Sequence, residues 1–419
     1  MTLTQAVTAG GSLLLQVIAA RGLGLSGYGA FAVCLSVLTT ATALYTGYVG
    51  DALTVLDRTE TEVRQALVLA ALIGLGGVFG IGTALVCLLG LASVGTALLF
   101  SAMLVLWLVE ETGRRVLMSR LEFWKLVAND TTYVVATLVA LGALTAVGTL
   151  RLSTMFLAMA IGAAASVVAA LIQLPRHEWR RLRPAVGSSR AIASFAVWRS
   201  LQSTLKPTQL LAARLILLQI VSLAAVGAVE AGRLVVAPMQ TVLNGAASLL
   251  LSTGASQRRE GKPAEDGAAD RIALGLVGIT VAGGLVAAAL SGPLGALMAG
   301  HRTGHLLVLG WGIYMAAWAG SLPFTAELTV RRQARPVFVA RLIETVAGLS
   351  LIAVVLSAGG SSDLVPWLLS LPALLNVGYI RSLARGVRGA VPVGASTVLM
   401  ESESSETALE LPRPVPGAN

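Results

Sequence analysis

Long apolar blocks separated by short polar stretches dominate the chain. A block of about 18 or more apolar residues is long enough to cross a bilayer as a helix. The pattern therefore predicts twelve spanning helices, at residues 3–20, 28–52, 66–90, 94–112, 128–148, 152–174, 196–220, 227–254, 272–292, 305–329, 337–358 and 364–382. Twelve passes would leave both ends of the chain on one side of the membrane.

Composition points the same way. Charged residues make up 12% of the chain and apolar residues 56%, whereas soluble domains carry about 25% charged residues. So little charge cannot cover a water-facing surface. We therefore expect an all-α integral membrane fold.

The basic residues predict the orientation. Loops and helix ends on the side of the termini hold 25 of the 30 Lys and Arg residues. Because positively charged loops stay in the cytoplasm, both termini are expected there. The same distribution explains the net charge of +9 without a nucleic-acid partner. The five remaining cations are Arg21, Arg151, Arg214, Arg233 and Arg302.

The longest basic loop divides the predicted helices into six and six. Two even halves favour two lobes related by a pseudo-two-fold axis along the membrane normal. A faint repeat agrees, because LSGYGAFAV and AAVGAVEAG each follow the first helix of a half. The predicted units are an N-terminal lobe (1–174), a linker (175–195), a C-terminal lobe (196–382) and a cytoplasmic tail (383–419) that is disordered at its polar, Pro-rich end.

Catalytic and cofactor motifs are missing or out of context. Gly22, Gly24 and Gly27 match GxGxxG, but a spanning helix precedes them where a nucleotide site needs a strand. No GxxxxGK[ST] loop is present, and the three histidines lack further ligands at metal spacing. We expect neither an enzyme nor a cofactor; coupling to the membrane potential or to an ion gradient stays open.

Most acidic residues in the spans have a basic residue one helical turn away. Such a spacing brings the two side chains together on one helix face. We therefore expect structural ion pairs at Glu110 and Glu111 with Arg114 and Arg115, Glu230 with Arg233, Glu327 with Arg331, and Arg341 with Glu344.

The predicted seventh helix differs, since no acid occurs between Trp179 and Val229. Arg199 and Arg214 lie roughly 22 Å apart along its axis, with Lys206 between them. Arg199, Gln202, Lys206 and Gln209 follow helical spacing and share a face. Intramembrane charge is costly and usually functional. This face should therefore line a wet cavity or pair with acids from elsewhere.

We interpret Arg199, Lys206, Arg214, Gln202 and Gln209 as a cationic cavity for an anionic headgroup, because guanidinium and ammonium groups bind phosphate well. The alternative is that the cations snorkel to the membrane surface.

A milder polar stripe on helix 1 adds Gln5, Ser12 and Gln16 as candidate lining residues. Asp51, in helix 2, is a further candidate. It could bind a coupling ion, pair with a cavity arginine or cap the helix end.

Two passages carry a family resemblance. Ala20-Arg21-Gly22-Leu23-Gly24 and Tyr28-Gly29-Ala30-Phe31-Ala32 follow helix 1, and Val226-Gly227 with Arg233-Leu234 follow helix 7. They resemble the polysaccharide (Wzx-type) flippases of the multidrug/oligosaccharidyl-lipid/polysaccharide exporter superfamily. The tyrosine common in the second passage is replaced here by Val229.

The resemblance implies a two-lobe flippase that moves a polyprenyl-(di)phosphate-linked oligosaccharide across a bacterial cytoplasmic membrane by alternating access. Its implied partners are the lipid-linked glycan, membrane lipids, and glycan polymerases or glycosyltransferases. A multidrug or cation antiporter of the same superfamily is one alternative; it would favour an acid in helix 1, which has none. A non-transporting scaffold of a glycan-assembly complex is another.

Overall fold

A computed structural model describes residues 2–55, 60–175, 184–186, 189–259, 267–331 and 333–389. Across these ranges the regular structure is helical. The helices are α1 (Thr2–Gly22), α2 (Gly24–Tyr45), a π-helical turn (Thr46–Gly50), α3 (Asp51–Val55), α4 (Thr61–Leu88), α5 (Val94–Ser119), α6 (Phe123–Val147), α7 (Leu152–Gln173), α8 (Ser189–Ile220), α9 (Leu223–Arg259), α10 (Ala268–Ala289), α11 (Ser291–Ala299), α12 (His305–Val330), α13 (Ala334–Ser357) and, after a 3₁₀ turn (Ser362–Leu364), α14 (Val365–Gly389).

Twelve long helices in the described residues correspond to the twelve predicted spans, which confirms the all-α membrane fold. Ten of them have the length and apolar character needed to cross a membrane. The other two are α1, with an apolar stretch at Ala6–Gly22, and α8. These are the first helices of the two halves, which the sequence marks as the polar ones.

Several boundaries differ from the predicted ones. Helix α8 begins at Ser189, inside the predicted linker, and α14 continues to Gly389, past the predicted end at 382. The short helix α11 was not predicted. Residues 176–183, 187–188 and 390–419 lie outside the described residues, so the domain boundaries and the disordered tail stay predictions.

The two halves meet where helix α2 packs against α8 and α9. At the crossing of α2 and α9 the backbones touch. A methyl group on Gly29 would overlap the carbonyl oxygen of Leu223, and one on Gly227 would overlap that of Leu25. The two faint sequence repeats therefore lie against each other, and only glycine permits so close an approach.

The other glycine motifs have simpler roles. Gly24 has a φ of +67° in the short connection between α1 and α2, a backbone conformation that glycine adopts without strain. This agrees with a helix connection in place of a nucleotide loop. Gly76 and Gly80 are exposed and would meet nothing within 4 Å, so their spacing packs no helix within this chain.

We expect Gly227→Val to lower the melting temperature of the purified protein in detergent. The added side chain must push α2 and α9 apart, and overpacking of this kind costs roughly 1–3 kcal/mol. Gly76→Val is the matched control, because its side chain would enter open space. Equal melting temperatures for the two variants would contradict the close crossing.

Candidate functional site

One face of helix α8 borders a cavity of about 240 Å³. Gln202, Lys206 and Gln209 lie on this face, and helices α12, α13 and α14 close the other sides. Pro207 lies within the same stretch of α8. Because proline has no N–H, the backbone there lacks one helical hydrogen bond. The cavity therefore forms where the helix is locally weakened.

Three nitrogen atoms in this cavity wall are buried without a hydrogen-bond partner among the described residues. They are Nζ of Lys206, Nε2 of Gln202 and Nε2 of Gln209. Gln209 is only 3% exposed. A buried donor without a partner costs about 1–3 kcal/mol. Three such donors at one place indicate a site built for a group that accepts hydrogen bonds.

Aromatic side chains of α12 hold two of these residues. The ammonium of Lys206 lies 3.2 Å from the centre of the Trp318 ring, a cation–π contact. The hydroxyl of Tyr314 donates to Oε1 of Gln209 at 3.4 Å. The ring and the hydroxyl thus orient the cation and the amide toward the cavity.

The opposite wall comes from α13 and α14. Nη2 of Arg341 donates to the Thr325 hydroxyl at 3.4 Å, and the Asn376 amide donates to the Glu344 carboxylate. Within the described chain no Arg341–Glu344 ion pair forms, so that expectation is wrong: each side chain bonds to another helix instead. Lys206 and Arg341 together give the cavity more positive than negative charge.

The cavity differs from the predicted one in its location and its membership. We expected a chamber between the two halves, but these lining residues all belong to the C-terminal half. Gln202, Lys206 and Gln209 line it, and their role in binding stays a prediction. Arg199 and Arg214 do not line it.

Arg199 binds a carboxylate of the other half. Its Nε and Nη2 donate to Oδ2 of Asp51 at 3.0 and 2.9 Å. Arg115 lies 3.6 Å from the same carboxylate. The expectation of an unneutralised charge at Arg199 is therefore wrong. Of the three roles considered for Asp51, pairing with an arginine is the one that the structure shows.

Two neighbouring contacts tie the same part of α8 to α2. The hydroxyls of Ser200 and Ser203 donate to the carbonyl oxygens of Leu44 and Ala43 at 3.1 and 2.9 Å. These carbonyls directly precede the π-helical turn. Helix α8 therefore bonds to the N-terminal half on one side and borders the cavity on another.

Arg214 is also neutralised. It makes a two-pronged pair with Glu230 at 2.8 Å for each prong, and Arg233 reaches the same carboxylate at 2.6 Å. The Glu230–Arg233 pair expected from spacing is thus confirmed. Arg214 also donates to Ser36 of α2, and Arg233 donates to Oε1 of Gln16 in α1 at 3.0 Å. We call this group the outer latch.

The outer latch joins both halves near the side of the membrane opposite the termini. Two of its residues belong to α1 and α2, and three belong to α8 and α9. It lies beside the tight crossing of α2 and α9. Together these contacts close the outer side of the molecule, whereas the cavity lies within two or three turns of the cytoplasmic ends of α12 and α13.

The remaining candidates on helix 1 do not line the cavity. Gln16 belongs to the outer latch, and its Nε2 also donates to the Ser12 hydroxyl at 3.4 Å. The side chain of Gln5 lies outside the described residues. The sequence missed Trp318, Tyr314 and Asn376. They lie in apolar helices where their types and spacing are typical of packing.

Comparisons with known proteins show the fold. No protein-family model and no curated protein sequence matches this chain. An inward-facing multidrug resistance MATE family transporter of the MOP superfamily matches with a TM-score of 0.70 at 11% identity, covering 93% of this chain and 96% of that one. The lipid II flippase MurJ, inward closed, matches with a TM-score of 0.71 at 12% identity, covering 91% and 86%.

The chain has the fold of the MOP superfamily of transporters. A further neighbour is a MOP superfamily transporter from Pyrococcus furiosus, at TM-score 0.61 and 12% identity over 93% of this chain and 95% of that one, whose report describes a binding pocket of reverse polarity. An outward-facing MATE transporter matches less well, at 0.59. The better match to inward forms agrees with a closed outer side.

We expect the pair of substitutions Gln16→Leu and Ser36→Ala to open the outer side. They remove the bonds between halves but keep the Arg214–Glu230–Arg233 triad. Hydrogen bonds to charged groups contribute about 1.5–3 kcal/mol each, so the open population should rise about tenfold or more. The measurement is labelling of Val226→Cys by an impermeant maleimide, in a chain lacking Cys34 and Cys87.

Gln240→Leu is the matched control for this experiment. It removes a bond from the same Arg233, at 3.4 Å, but within one half. Val226 is fully buried in the closed form, so background labelling should be low. Equal labelling rates in the double variant and the control would contradict the latch.

Proposed function

We propose that the protein is a flippase that moves a polyprenyl-(di)phosphate-linked oligosaccharide or polysaccharide precursor from the cytoplasmic to the outer leaflet. One observation carries the proposal: the three unpartnered donors of Gln202, Lys206 and Gln209 converge in one cavity. The fold supports transport by alternating access, in line with flippases and exporters of the same fold.

The donor set favours an anionic ligand rich in oxygen. Ammonium and guanidinium groups are donors only, and the two free amide nitrogens add donors that carry no charge. Hydrogen bonds from charged donors to phosphate are among the strongest available. A cationic drug would meet Lys206 and Arg341 as like charges. The cavity therefore suits a phosphate or diphosphate.

The size of the cavity assigns parts of the substrate. Its volume of about 240 Å³ is below the roughly 300–1,000 Å³ typical of sites for drug-sized ligands. It can enclose the (di)phosphate, while the glycan and the lipid chain must lie outside it. Trp318 shields Lys206 through a contact worth about 0.5–2 kcal/mol, and an arriving phosphate oxygen replaces it as the stronger partner.

Helix α8 couples binding to the relative position of the halves. The same helix carries the cavity donors, the Arg199–Asp51 bridge and Arg214 of the outer latch. We infer that a phosphate at Lys206 shifts α8 around Pro207 and loosens its bonds to α2. Rocking of the halves then exposes the substrate outside. An ion gradient or the membrane potential supplies the direction.

The proposed setting is a bacterial cytoplasmic membrane. Because the product appears in the outer leaflet, the implied partners are glycan polymerases or glycosyltransferases acting there, together with the surrounding lipids.

We expect Lys206→Ala to lower translocation of a labelled polyprenyl-diphosphate glycan at least tenfold in proteoliposomes. Removing the only ammonium of the cavity removes a charge-assisted bond to phosphate, worth about 1.5–3 kcal/mol. The measurement is the rate at which label appears in the opposite leaflet. Lys125→Ala is the control, because that lysine is exposed and lies outside the cavity.

Two results would count against this proposal. Equal rates for Lys206→Ala and Lys125→Ala would remove the cavity from the transport path. No translocation by folded wild-type protein would favour the scaffold of a glycan-assembly complex instead.

A cation antiporter is the second candidate, and one observation favours it. Glu110, Glu111 and Asp130 surround Arg114 in the N-terminal half, and Oε2 of Glu110 is buried without a hydrogen-bond partner among the described atoms. The space beside these acids is only about 10 Å³, which holds about one water molecule. An organic cation does not fit there.

We therefore expect no uptake of tetraphenylphosphonium driven by a pH gradient in proteoliposomes of wild-type protein. Glu110→Gln, which keeps the shape and removes the charge, is tested beside it. Uptake by the wild type that Glu110→Gln abolishes would establish the antiporter in place of the flippase.

A further inference from the structure

A second cavity, of about 300 Å³, lies in the N-terminal half between α4 and the helices α2, α5 and α7. Its walls are mostly aliphatic, and we call it the α4 groove. Leu72 and Leu171, on its two sides, are 53% and 43% exposed. Exposed leucines on both walls show that the α4 groove opens toward the surroundings of the protein, which in a membrane are lipid chains.

The α4 groove offers nothing to a polar ligand along most of its length. Its two interior hydroxyls satisfy each other: Thr112 donates to the carbonyl oxygen of Leu108 at 2.8 Å, so Tyr45 donates to Thr112 at 2.7 Å. The floor is formed by small residues, because Gly113 of α5 lies against the methyl group of Ala170. Such a dry channel fits a hydrocarbon chain.

Its length and its one charged lining residue indicate which lipid. Arg64, in the first turn of α4, is the cation at the cytoplasmic end, and Leu75 is the innermost residue of the same helix. They are roughly 16 Å apart along the axis, about half of a hydrocarbon core of roughly 30 Å. The α4 groove thus spans one leaflet, the cytoplasmic one, with a cation at headgroup level.

We propose that the α4 groove binds one acyl chain of an anionic phospholipid of the cytoplasmic leaflet, with the lipid phosphate beside Arg64. A polyprenyl carrier chain is longer than this groove, and the phosphate donors proposed for the substrate lie in the other half. The bound chain fills the space between α4 and α7. The proposal is independent of the flippase assignment.

The test uses wild-type protein in phosphatidylcholine nanodiscs that contain a small fraction of phosphatidylglycerol with a photoreactive acyl chain. After irradiation, the cross-linked peptides are identified by mass spectrometry. We expect cross-links in residues 67–75 and 167–174. Ala71→Phe, which fills the α4 groove, should lower their yield at least fivefold; Leu171→Trp is a second filling variant.

Val139→Phe is the control, because Val139 is 66% exposed on α6 and lies outside the α4 groove. Arg64→Gln should lower labelling by the phosphatidylglycerol probe but not by a phosphatidylcholine probe. Equal labelling of wild type and both filled variants would overturn the site. Displacement of the probe by polyprenyl phosphate but not by unlabelled phosphatidylglycerol would overturn the choice of lipid.

Discussion

The cost of placing charge inside a bilayer governs this structure. An ionised side chain within a span must find a partner, water or the membrane surface. The three cations of α8 show different solutions. Arg199 and Arg214 bind carboxylates of other helices, while Lys206 has only an aromatic ring and a cavity. The cation without a carboxylate partner is therefore the informative one, and it points to a ligand that brings its own negative charge.

Helix α8 connects three regions that would otherwise be separate. It donates to the backbone of α2 through two serines, borders the C-terminal cavity through Lys206 and two glutamines, and anchors the outer latch through Arg214. Its proline gives it a weak point between these contacts. A helix bonded at both ends and broken in the middle transmits a local change to both membrane surfaces.

The sequence predicts what depends on local spacing and fails where the partner is distant. The helices followed from apolar blocks, and pairs one turn apart such as Glu327–Arg331, at 3.3 Å, formed as expected. The partner of Arg199, 148 residues away, has no local signal. Asp51 itself was singled out, but its partner could only be guessed. Trp318 reads as a packing residue until Lys206 is seen above its ring. Arg341 and Glu344 have the right spacing but stronger partners on neighbouring helices.

The π-helical turn at Thr46–Gly50 has a consequence for how this chain tolerates length changes. It accommodates one more residue than an α-helical turn would, directly before Asp51. Loss of one residue there would restore a regular helix and rotate all that follows by about 100°. The carboxylate of Asp51 would then face away from Arg199. A single-residue deletion far from the cavity would thus disconnect the two halves at the cytoplasmic side while leaving every other residue type in place.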